Sequence, residues 1–197
     1  MNLDPFSNIK AIAAVMQTMQ RINDIYKNWS LDAWSIGPEC FRAITNHLMP
    51  GSIILELGSG EGTRILSEFY NMKSIEEDPN YVNKYKSKYF YVPTVNVKGK
   101  YTEFAEDAIW YDETMFKLAM KRVGDFDCLL VDGPKGFRGG LYYNRDVMNL
   151  QNKLLIFDDV HDNHHYHLME LIAKDLNKSF EVVEDTKGKK VGIIKPN

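Results

Sequence analysis

From residue 52 onward, short apolar runs alternate with segments of helical spacing, and this alternation restricts the fold more than any other feature of the chain. Such alternation is typical of parallel strands joined by helices, with both faces of the sheet covered. The apolar runs lie at 52–57, 72–77, 88–95, 126–132 and 153–159. Helices are predicted at 62–70, 79–87, 111–123 and 164–176. Residues 179–185 and 190–196 flank the turn TKGK and predict a terminal antiparallel hairpin.

These elements predict an α/β fold, namely a Rossmann-like, doubly wound, seven-stranded and mostly parallel sheet with a C-terminal antiparallel hairpin. Residues 1–50 precede the alternation and predict two helices, at 5–28 and at 39–48. We interpret 1–50 as a helical cap on the substrate side and 51–197 as the cofactor-binding part of a single compact domain. A second interpretation of 5–28, a helix that binds a partner, stays open.

Composition narrows the class of protein. A chain of 197 residues suits one domain. The net charge of −3 gives no reason to expect a nucleic-acid or membrane partner. No apolar run approaches the roughly 20 residues that a membrane span needs. Cys40 and Cys128 are the two cysteines, too few for a disulfide framework, so we expect a cytoplasmic protein.

A glycine-rich loop follows the first predicted strand. Gly58, Gly60 and Gly62 alternate there, and glycines of this kind allow the backbone to approach a cofactor without a Cβ clash. Thr63 lies where a dinucleotide fingerprint needs its third glycine, and no Lys-Ser/Thr pair follows the loop. The loop is therefore not a P-loop, and it argues against a nicotinamide dinucleotide.

Carboxylates stand at the carboxyl ends of four predicted strands, and in a parallel sheet these ends form one rim where ligands bind. Because neighbouring carboxylates repel one another, stability of the fold alone would not favour this arrangement. The residues concerned are Glu56, Glu76, Glu77, Asp132, Asp158 and Asp159.

The pattern E-x-G-x-G-x-G after the first strand resembles the first motif of class I S-adenosylmethionine-dependent methyltransferases. The resemblance implies the class I methyltransferase fold. It implies that Glu56 holds the ammonium side of the cofactor and that Glu76 accepts the ribose hydroxyls, with Glu77 as the alternative. The implied cofactor-binding set is Glu56, Gly58, Ser59, Gly60, Gly62, Glu76 and Asp132.

The second group of carboxylates is similar to the metal triad of the catechol, caffeoyl-coenzyme A and macrocin-type O-methyltransferases. That resemblance implies that Asp132, Asp158 and Asp159 hold Mg²⁺, which lowers the pKa of a bound hydroxyl. The chain departs from the family pattern where Asp159 replaces the usual Asn and VDGPKG replaces a VDADK-like segment. A second interpretation therefore stays open, in which Asp158 and Asp159 cap the next helix and Asp132 acts at the sulfonium or as a base without metal.

Four histidines follow the fifth strand. His161 comes just after the acidic pair, and because imidazole titrates near neutral pH it is a candidate general base. The alternative is a solvated polar helix face, which we favour for His164, His165 and His167.

Several loop residues are candidates for binding the acceptor. Lys135 and Arg138, in the loop after the fourth strand, suit an anionic acceptor, unless they only balance the neighbouring aspartates. The residues considered for an apolar wall are Trp34, Ile36 and Phe137. The loop with Glu106 and Asp107 is considered for the adenine.

These features favour a cytoplasmic S-adenosylmethionine-dependent methyltransferase that methylates a hydroxyl oxygen of a small-molecule or sugar acceptor, with or without Mg²⁺. Asp132 and His161 are the candidate catalytic residues. Two alternatives stay open: a nicotinamide-dependent oxidoreductase, and a non-catalytic module that binds S-adenosylmethionine. Methylation of nucleic acid is disfavoured by the acidic net charge of −3.

Overall fold

The computed structural model describes residues 5–30, 35–97, 109–136 and 138–196, and these contain nine strands and six α-helices. The strands are β1 (Ile53–Leu57), β2 (Asn71–Glu76), β3 (Lys88–Tyr91), β4 (Thr94–Asn96), β5 (Ile109–Tyr111), β6 (Cys128–Val131), β7 (Leu154–Phe157), β8 (Glu181–Glu184) and β9 (Lys190–Ile194). The α-helices are α1 (Pro5–Lys27), α2 (Pro38–His47), α3 (Glu61–Leu66), α4 (Glu113–Val123), α5 (Gly140–Asn144) and α6 (Asn163–Asp175).

The chain divides into two compact units, residues 1–30 and residues 31–197. The first contains α1, which agrees with the helix predicted at 5–28. The second contains all the other elements. The predicted division at residue 50 assigns functional roles, and it stays a prediction. Within the described residues, no helix combines the length and the apolar character that crossing a bilayer would require.

One sheet contains seven strands in the order β3-β2-β1-β6-β7-β9-β8. The first five of these run parallel, and β9 pairs antiparallel with both β7 and β8. Strands β4 and β5 form a separate antiparallel pair. The predicted seven-stranded, mostly parallel sheet with its C-terminal hairpin is therefore confirmed.

Both faces of the central strands are covered. Successive residues of a strand point to opposite faces, yet Ile54 and Leu55 of β1 are both fully buried. The same holds along β6 and β7, where all residues are buried. This explains why these strands are continuous apolar runs in the sequence rather than alternating ones.

The order of the strands gathers several chain segments at one rim. The carboxyl ends of β1, β2, β6 and β7 lie there because these strands are parallel. Strand β9 runs the other way, so its first residues reach the same rim, where the backbone N–H of Val160 donates to the carbonyl of Lys190 at 3.0 Å. The turn between β8 and β9 thus joins the group of loops in which a ligand would bind.

The prediction of a helix at 79–87 is wrong, because this segment forms a series of turns. The carboxylate of Asp78 accepts from the backbone N–H of Asn80 at 2.9 Å, and Tyr81 donates to the carbonyl of Asp78 at 3.0 Å. Asn83 then adopts a left-handed conformation with φ +62°. Side-chain capping and a positive φ therefore interrupt the helical spacing before a full turn repeats.

Two further boundaries differ from the prediction. The run at 88–95 forms two strands in different sheets, because Pro93 lies between β3 and β4 and has no N–H to continue a ladder. The helix predicted from residue 111 begins at Glu113, after β5. Asp112 is its N-cap and accepts from the backbone N–H of Met115 at 2.9 Å.

Candidate functional site

The three glycines of the loop after β1 differ in what the structure requires of them. Gly58 has φ +82°, and a Cβ there would lie 3.2 Å from the backbone of Gly133. A Cβ on Gly62 would lie 2.8 Å from Cγ1 of the buried Ile36. Gly60 has an extended backbone with φ −168°, and a Cβ there would meet no atom of the described residues within 4 Å. A glycine is therefore required at position 58 by the backbone conformation and at position 62 by the packing. Neither reason applies to Gly60.

Glu76, at the end of β2, faces this loop. Its Oε2 accepts from the backbone N–H of Ser59 at 2.7 Å and from the Ser59 hydroxyl at 2.9 Å. Its Oε1 accepts from the backbone N–H of Asp78 at 2.7 Å. Burial raises the pKa of Glu76, while hydrogen bonds from Asp78 and Ser59 oppose that rise. The Glu76 carboxylate is thus directed at the glycine loop, and its predicted role in holding the ribose hydroxyls stays a prediction.

Glu56 is buried beneath the same loop. Its Oε1 accepts from the hydroxyls of Thr63, at 2.8 Å, and of Ser74. The Thr63 hydroxyl in turn accepts from the backbone N–H of Gly60 at 2.9 Å. Burial raises the pKa of Glu56 to about 8 against the effect of both hydroxyls. These contacts give Glu56 a role in fixing the loop, and its predicted contact with the cofactor ammonium stays a prediction.

Asp132 lies beside the glycine loop because the ends of β1 and β6 are in contact. Its backbone N–H donates to the carbonyl of Leu57 at 3.2 Å. Gly58 and Gly133 approach each other closely, so the loop after β1 and the loop after β6 are in contact. A ligand over Gly58–Gly62 would therefore be next to the Asp132 carboxylate.

Asp132, Asp158 and Asp159 form one cluster, as predicted from the sequence. Each offers one carboxylate oxygen, and these oxygens all lie within 4.8 Å of one another. Asp158 is completely buried, and its Oδ1 has no hydrogen-bond partner among the described residues. Asp159 adopts a left-handed conformation with φ +61°, which turns the chain between β7 and α6. Oxygen donors at this separation are of the kind that hard divalent cations use.

Two cationic side chains already contact this cluster. The Nζ of Lys189 lies 2.8 Å from Oδ2 of Asp158 and 3.2 Å from Oδ1 of Asp159. The Nη2 of Arg138 lies 3.2 Å from Oδ2 of Asp159 and 3.6 Å from Oδ1 of Asp132. All three carboxylates therefore have a positive partner from the chain itself.

Burial and the neighbouring charges shift the pKa values of the three carboxyl groups in different directions. Burial, followed by the charge of Asp132, raises the pKa of Asp158 to about 7. Burial also raises the pKa of Asp132, against the effect of Arg138 and Lys189. Burial alone would raise the pKa of Asp159, but Lys189 and Arg138 together hold it below its ordinary value. Asp159 is thus the most firmly ionised member of the cluster.

The four histidines that follow β7 differ in exposure. His161, His164 and His167 are exposed, and His165 is half-buried. The Nδ1 of His165 lies 3.3 Å from the carbonyl of Asp159, and its Nε2 lies 3.3 Å from the carbonyl of Gly136. Burial, followed by Arg138, lowers the pKa of His165. The structure therefore brings His165 to the site's edge, and the role proposed for His161 as a base stays a prediction.

The loop after β6 is fixed at both ends. The backbone N–H of Lys135 donates to Oε1 of Glu77 at 2.8 Å. Arg138 is buried, and its Nη1 donates to the carbonyls of Val131 and Asp158 at 3.1 and 2.9 Å. These contacts favour the alternative in which Arg138 balances the aspartates. Trp34, Phe137, Glu106 and Asp107, considered above for the wall and the adenine, lie outside the described residues.

Sequence reasoning missed Lys189 and the two hydroxyl residues that hold Glu56. Lys189 belongs to the predicted turn TKGK, whose sequence indicates only a connection between strands. A signal for it was available, because a strand antiparallel to β7 must begin at the rim where β7 ends. Ser74 could have been found by register, since it lies opposite Glu56 in the pairing of β1 with β2.

No protein-family model matches this chain, and no curated protein is similar to it in sequence. Solved structures are similar in fold. One is the O-methyltransferase TomG from Streptomyces achromogenes, in complex with S-adenosylmethionine, with a TM-score of 0.55 and 12% identity over 90% of this chain and 88% of that chain. Another is an O-methyltransferase from Bacillus cereus, in complex with S-adenosylhomocysteine, with a TM-score of 0.53 and 12% identity over 91% of this chain and 90% of that chain.

At this level of identity the likeness concerns the fold. The chain has the fold of the class I S-adenosylmethionine-dependent methyltransferases, which confirms the fold class that its sequence motif implied. The ligands named above were found in those two structures, and they are not carried over to this chain by the likeness in fold.

Proposed function

We propose that this chain is an S-adenosylmethionine-dependent methyltransferase that methylates a hydroxyl oxygen of a small-molecule or sugar acceptor. One observation carries the proposal: the Glu76 carboxylate at the end of β2 is directed at the glycine loop that follows β1. A carboxylate in this position can accept both hydroxyls of a ribose. The carboxylates at the ends of β6 and β7 argue against a non-catalytic module, because a scaffold has no need of them.

The residues around the loop fit the parts of the cofactor. Gly60 has open space where a side chain would stand, so the loop backbone can contact the ribose and methionine portions. Ser59, which now donates to Glu76, would give up one of these hydrogen bonds to a ribose hydroxyl. Glu56 keeps the loop in shape through Thr63. The bound cofactor would supply the electrophilic methyl group on its sulfonium.

The reaction is an in-line displacement at that methyl group. The acceptor oxygen forms a bond to the methyl carbon as the carbon–sulfur bond breaks, and sulfur leaves with the electron pair as a neutral thioether. The hydroxyl proton needs a base, for which Asp132 is our first candidate and His161 the second. The Asp132 side chain is 25% exposed and lies beside the loop, so both acceptor and solvent can reach it. Positioning of the two reactants would supply most of the acceleration.

A Mg²⁺-assisted form of this reaction would use Asp132, Asp158 and Asp159 as ligands. Their oxygens suit a hard cation. The ammonium of Lys189, however, already contacts Oδ2 of Asp158 and Oδ1 of Asp159, and an ion on those oxygens would lie against it. The cluster with its lysine in place does not fit a divalent ion, and we derive no step through a metal.

Binding of S-adenosylhomocysteine, measured by isothermal titration calorimetry, tests the cofactor part. We expect Glu76→Ala to weaken it at least about tenfold, because charge-assisted hydrogen bonds contribute about 1.5–3 kcal/mol each. Glu184→Ala is the matched control, since Glu184 is an exposed residue of the terminal hairpin and should leave binding unchanged. Absence of binding by the wild-type chain, or equal binding by Glu76→Ala, contradicts the proposal.

Two further measurements separate the alternatives. NAD tested in the same titration should give no heat of binding, and binding of NAD in preference to S-adenosylhomocysteine would favour the oxidoreductase. Methyl transfer to a pool of hydroxylated acceptors should fall about 10²–10⁴-fold in Asp132→Asn if Asp132 is the base. Binding of the cofactor with no transfer to any acceptor would favour the non-catalytic module.

A further inference from the structure

The side chain of Lys189 is fixed in the carboxylate cluster rather than free at the surface. Three oxygens lie within 3.2 Å of its Nζ: Oδ2 of Asp158, Oδ1 of Asp159 and the carbonyl oxygen of Ser35. An ammonium group has three donors. Only 16% of the side chain is exposed, and Asp158 is not exposed at all.

The backbone holds Lys189 in this position. Its N–H donates to Oδ1 of Asp185 at 2.9 Å, and its carbonyl accepts from the N–H of Asp185 at 2.9 Å. Gly188, just before it, has φ +83° and completes the turn. The side-chain stem passes Gly37, where a Cβ would lie 3.4 Å from Cδ of Lys189. The ammonium is thus preorganised by a tight turn, and its stem packs beside Gly37.

The charges of the cluster are nearly balanced without any added ion. Asp132, Asp158 and Asp159 carry three negative charges when ionised, and Lys189 and Arg138 carry two positive ones. Mg²⁺ would coordinate the carboxylate oxygens at about 2.0–2.1 Å. Lys189 already contacts one oxygen of Asp158 and one oxygen of Asp159, so an ion held by the same carboxylates would lie close to its ammonium, and the two positive charges would repel one another.

We infer that Lys189 is the resident cation of this cluster and takes the place of a divalent metal ion there. In this role Lys189 is a positioning residue: it fixes Asp158 and Asp159 at the start of the loop that follows β7 and leaves Asp132 as the carboxylate that faces the acceptor. The catalytic consequence depends on the proposed function, whereas exclusion of the metal does not. The site should therefore bind no Mg²⁺ or Mn²⁺, and transfer should be insensitive to EDTA.

Binding of Mn²⁺, measured by the electron paramagnetic resonance signal of the free ion, tests this inference directly. Wild type should show no detectable binding of Mn²⁺ at the cluster. Lys189→Met should bind it with an affinity at least about thirtyfold above the upper limit set by wild type, the factor that Coulomb's law gives for a unit charge about 4 Å from a dication even at the dielectric constant of water. Lys189→Arg keeps the charge and should bind none. Lys190→Met is the matched control, because Lys190 pairs with Glu184 and is half-exposed.

Stoichiometric binding of Mn²⁺ by wild type, with no gain in Lys189→Met, would overturn the inference. If Lys189→Met does not fold, wild type is compared with Asp158→Asn, which keeps the lysine. Absence of binding in both supports the inference, and binding by wild type that Asp158→Asn loses refutes it. The same samples are titrated with S-adenosylhomocysteine, so failure of the proposed function is seen separately from failure of the metal result.

Discussion

Gly60→Ala should separate function from stability in the glycine loop. Its backbone is extended, at φ −168°, so alanine meets no conformational barrier, and the added Cβ has no atom within 4 Å in the part of the chain that the structure describes. Alanine is a poorer N-cap than glycine by less than about 1 kcal/mol, and it lowers the entropy of the unfolded chain by about 0.4–1 kcal/mol. These effects oppose one another, so the free energy of unfolding should change by less than about 1 kcal/mol.

Binding of the cofactor should respond differently. If the loop backbone contacts the ligand, the new methyl group enters the space that the ligand needs. Overpacking of this kind costs about 1–3 kcal/mol, which corresponds to a loss of affinity of roughly 5–150-fold. Titration calorimetry with S-adenosylhomocysteine measures the affinity, and urea unfolding measures the stability.

Gly51→Ala is the matched control. Gly51 has φ +89°, and a Cβ there would also meet no described atom within 4 Å, but it lies in the turn before β1, at the other end of the strand from the glycine loop. Alanine there should cost about 1–2 kcal/mol of stability through its left-handed backbone and leave affinity unchanged. If Gly60→Ala binds S-adenosylhomocysteine as tightly as wild type, the ligand does not lie against this loop and the reasoning fails.

Three other outcomes follow from burial and contact. Because the pKa of Glu56 is raised from its ordinary 4.5 to about 8, the unfolded chain loses this proton first, and its contribution makes stability fall between about pH 4.5 and 8, by up to about 1.4 kcal/mol per pH unit. Glu56→Gln keeps the acceptor for both hydroxyls, so urea unfolding at several pH values should show that slope reduced; an unchanged slope contradicts the assignment. Lys189→Met should lower stability by about 3–5 kcal/mol, since Asp158 is left buried and unpaired, and a loss under about 1 kcal/mol would show that the ion pair contributes little. Gly140→Ala should destabilise by about 1–3 kcal/mol or more, because its Cβ would lie 2.1 Å from Cγ of the fully buried Trp110, and a thermal melt that matches wild type would contradict this packing.

The sheet could be predicted from the sequence because its central strands are buried on both faces. Residues 53–57, 128–131 and 154–157 are almost uniformly apolar, which few other elements of such length would be. The facing of Glu76 toward the glycine loop could also be anticipated, since strand order alone brings the ends of β1 and β2 together. These predictions depend on local pattern and on a general property of parallel sheets.

What could not be predicted depends on single hydrogen bonds or on distant contacts. The segment 79–87 has helical spacing, but one side-chain acceptor at Asp78 and a positive φ at Asn83 decide against the helix. The pairing of Lys189 with Asp158 joins residues far apart in sequence, and it requires the register of β9 on β7. Arg138 suits an anionic acceptor in the sequence alone, because the sequence does not reveal that the guanidinium is buried.

Two consecutive lysines, the last residue of the turn and the first residue of β9, have side chains that point in opposite directions. Lys189 reaches Asp158, while Lys190 turns outward to Glu184. Hairpin connections normally accept insertions and deletions readily. In this one, a slip by a single residue would exchange the inward and the outward ammonium, since neighbouring side chains along a strand alternate in direction. The length of the 185–189 turn therefore decides which lysine lies at the rim. A change in the length of this loop alone would alter the charge there, with no substitution of a side chain.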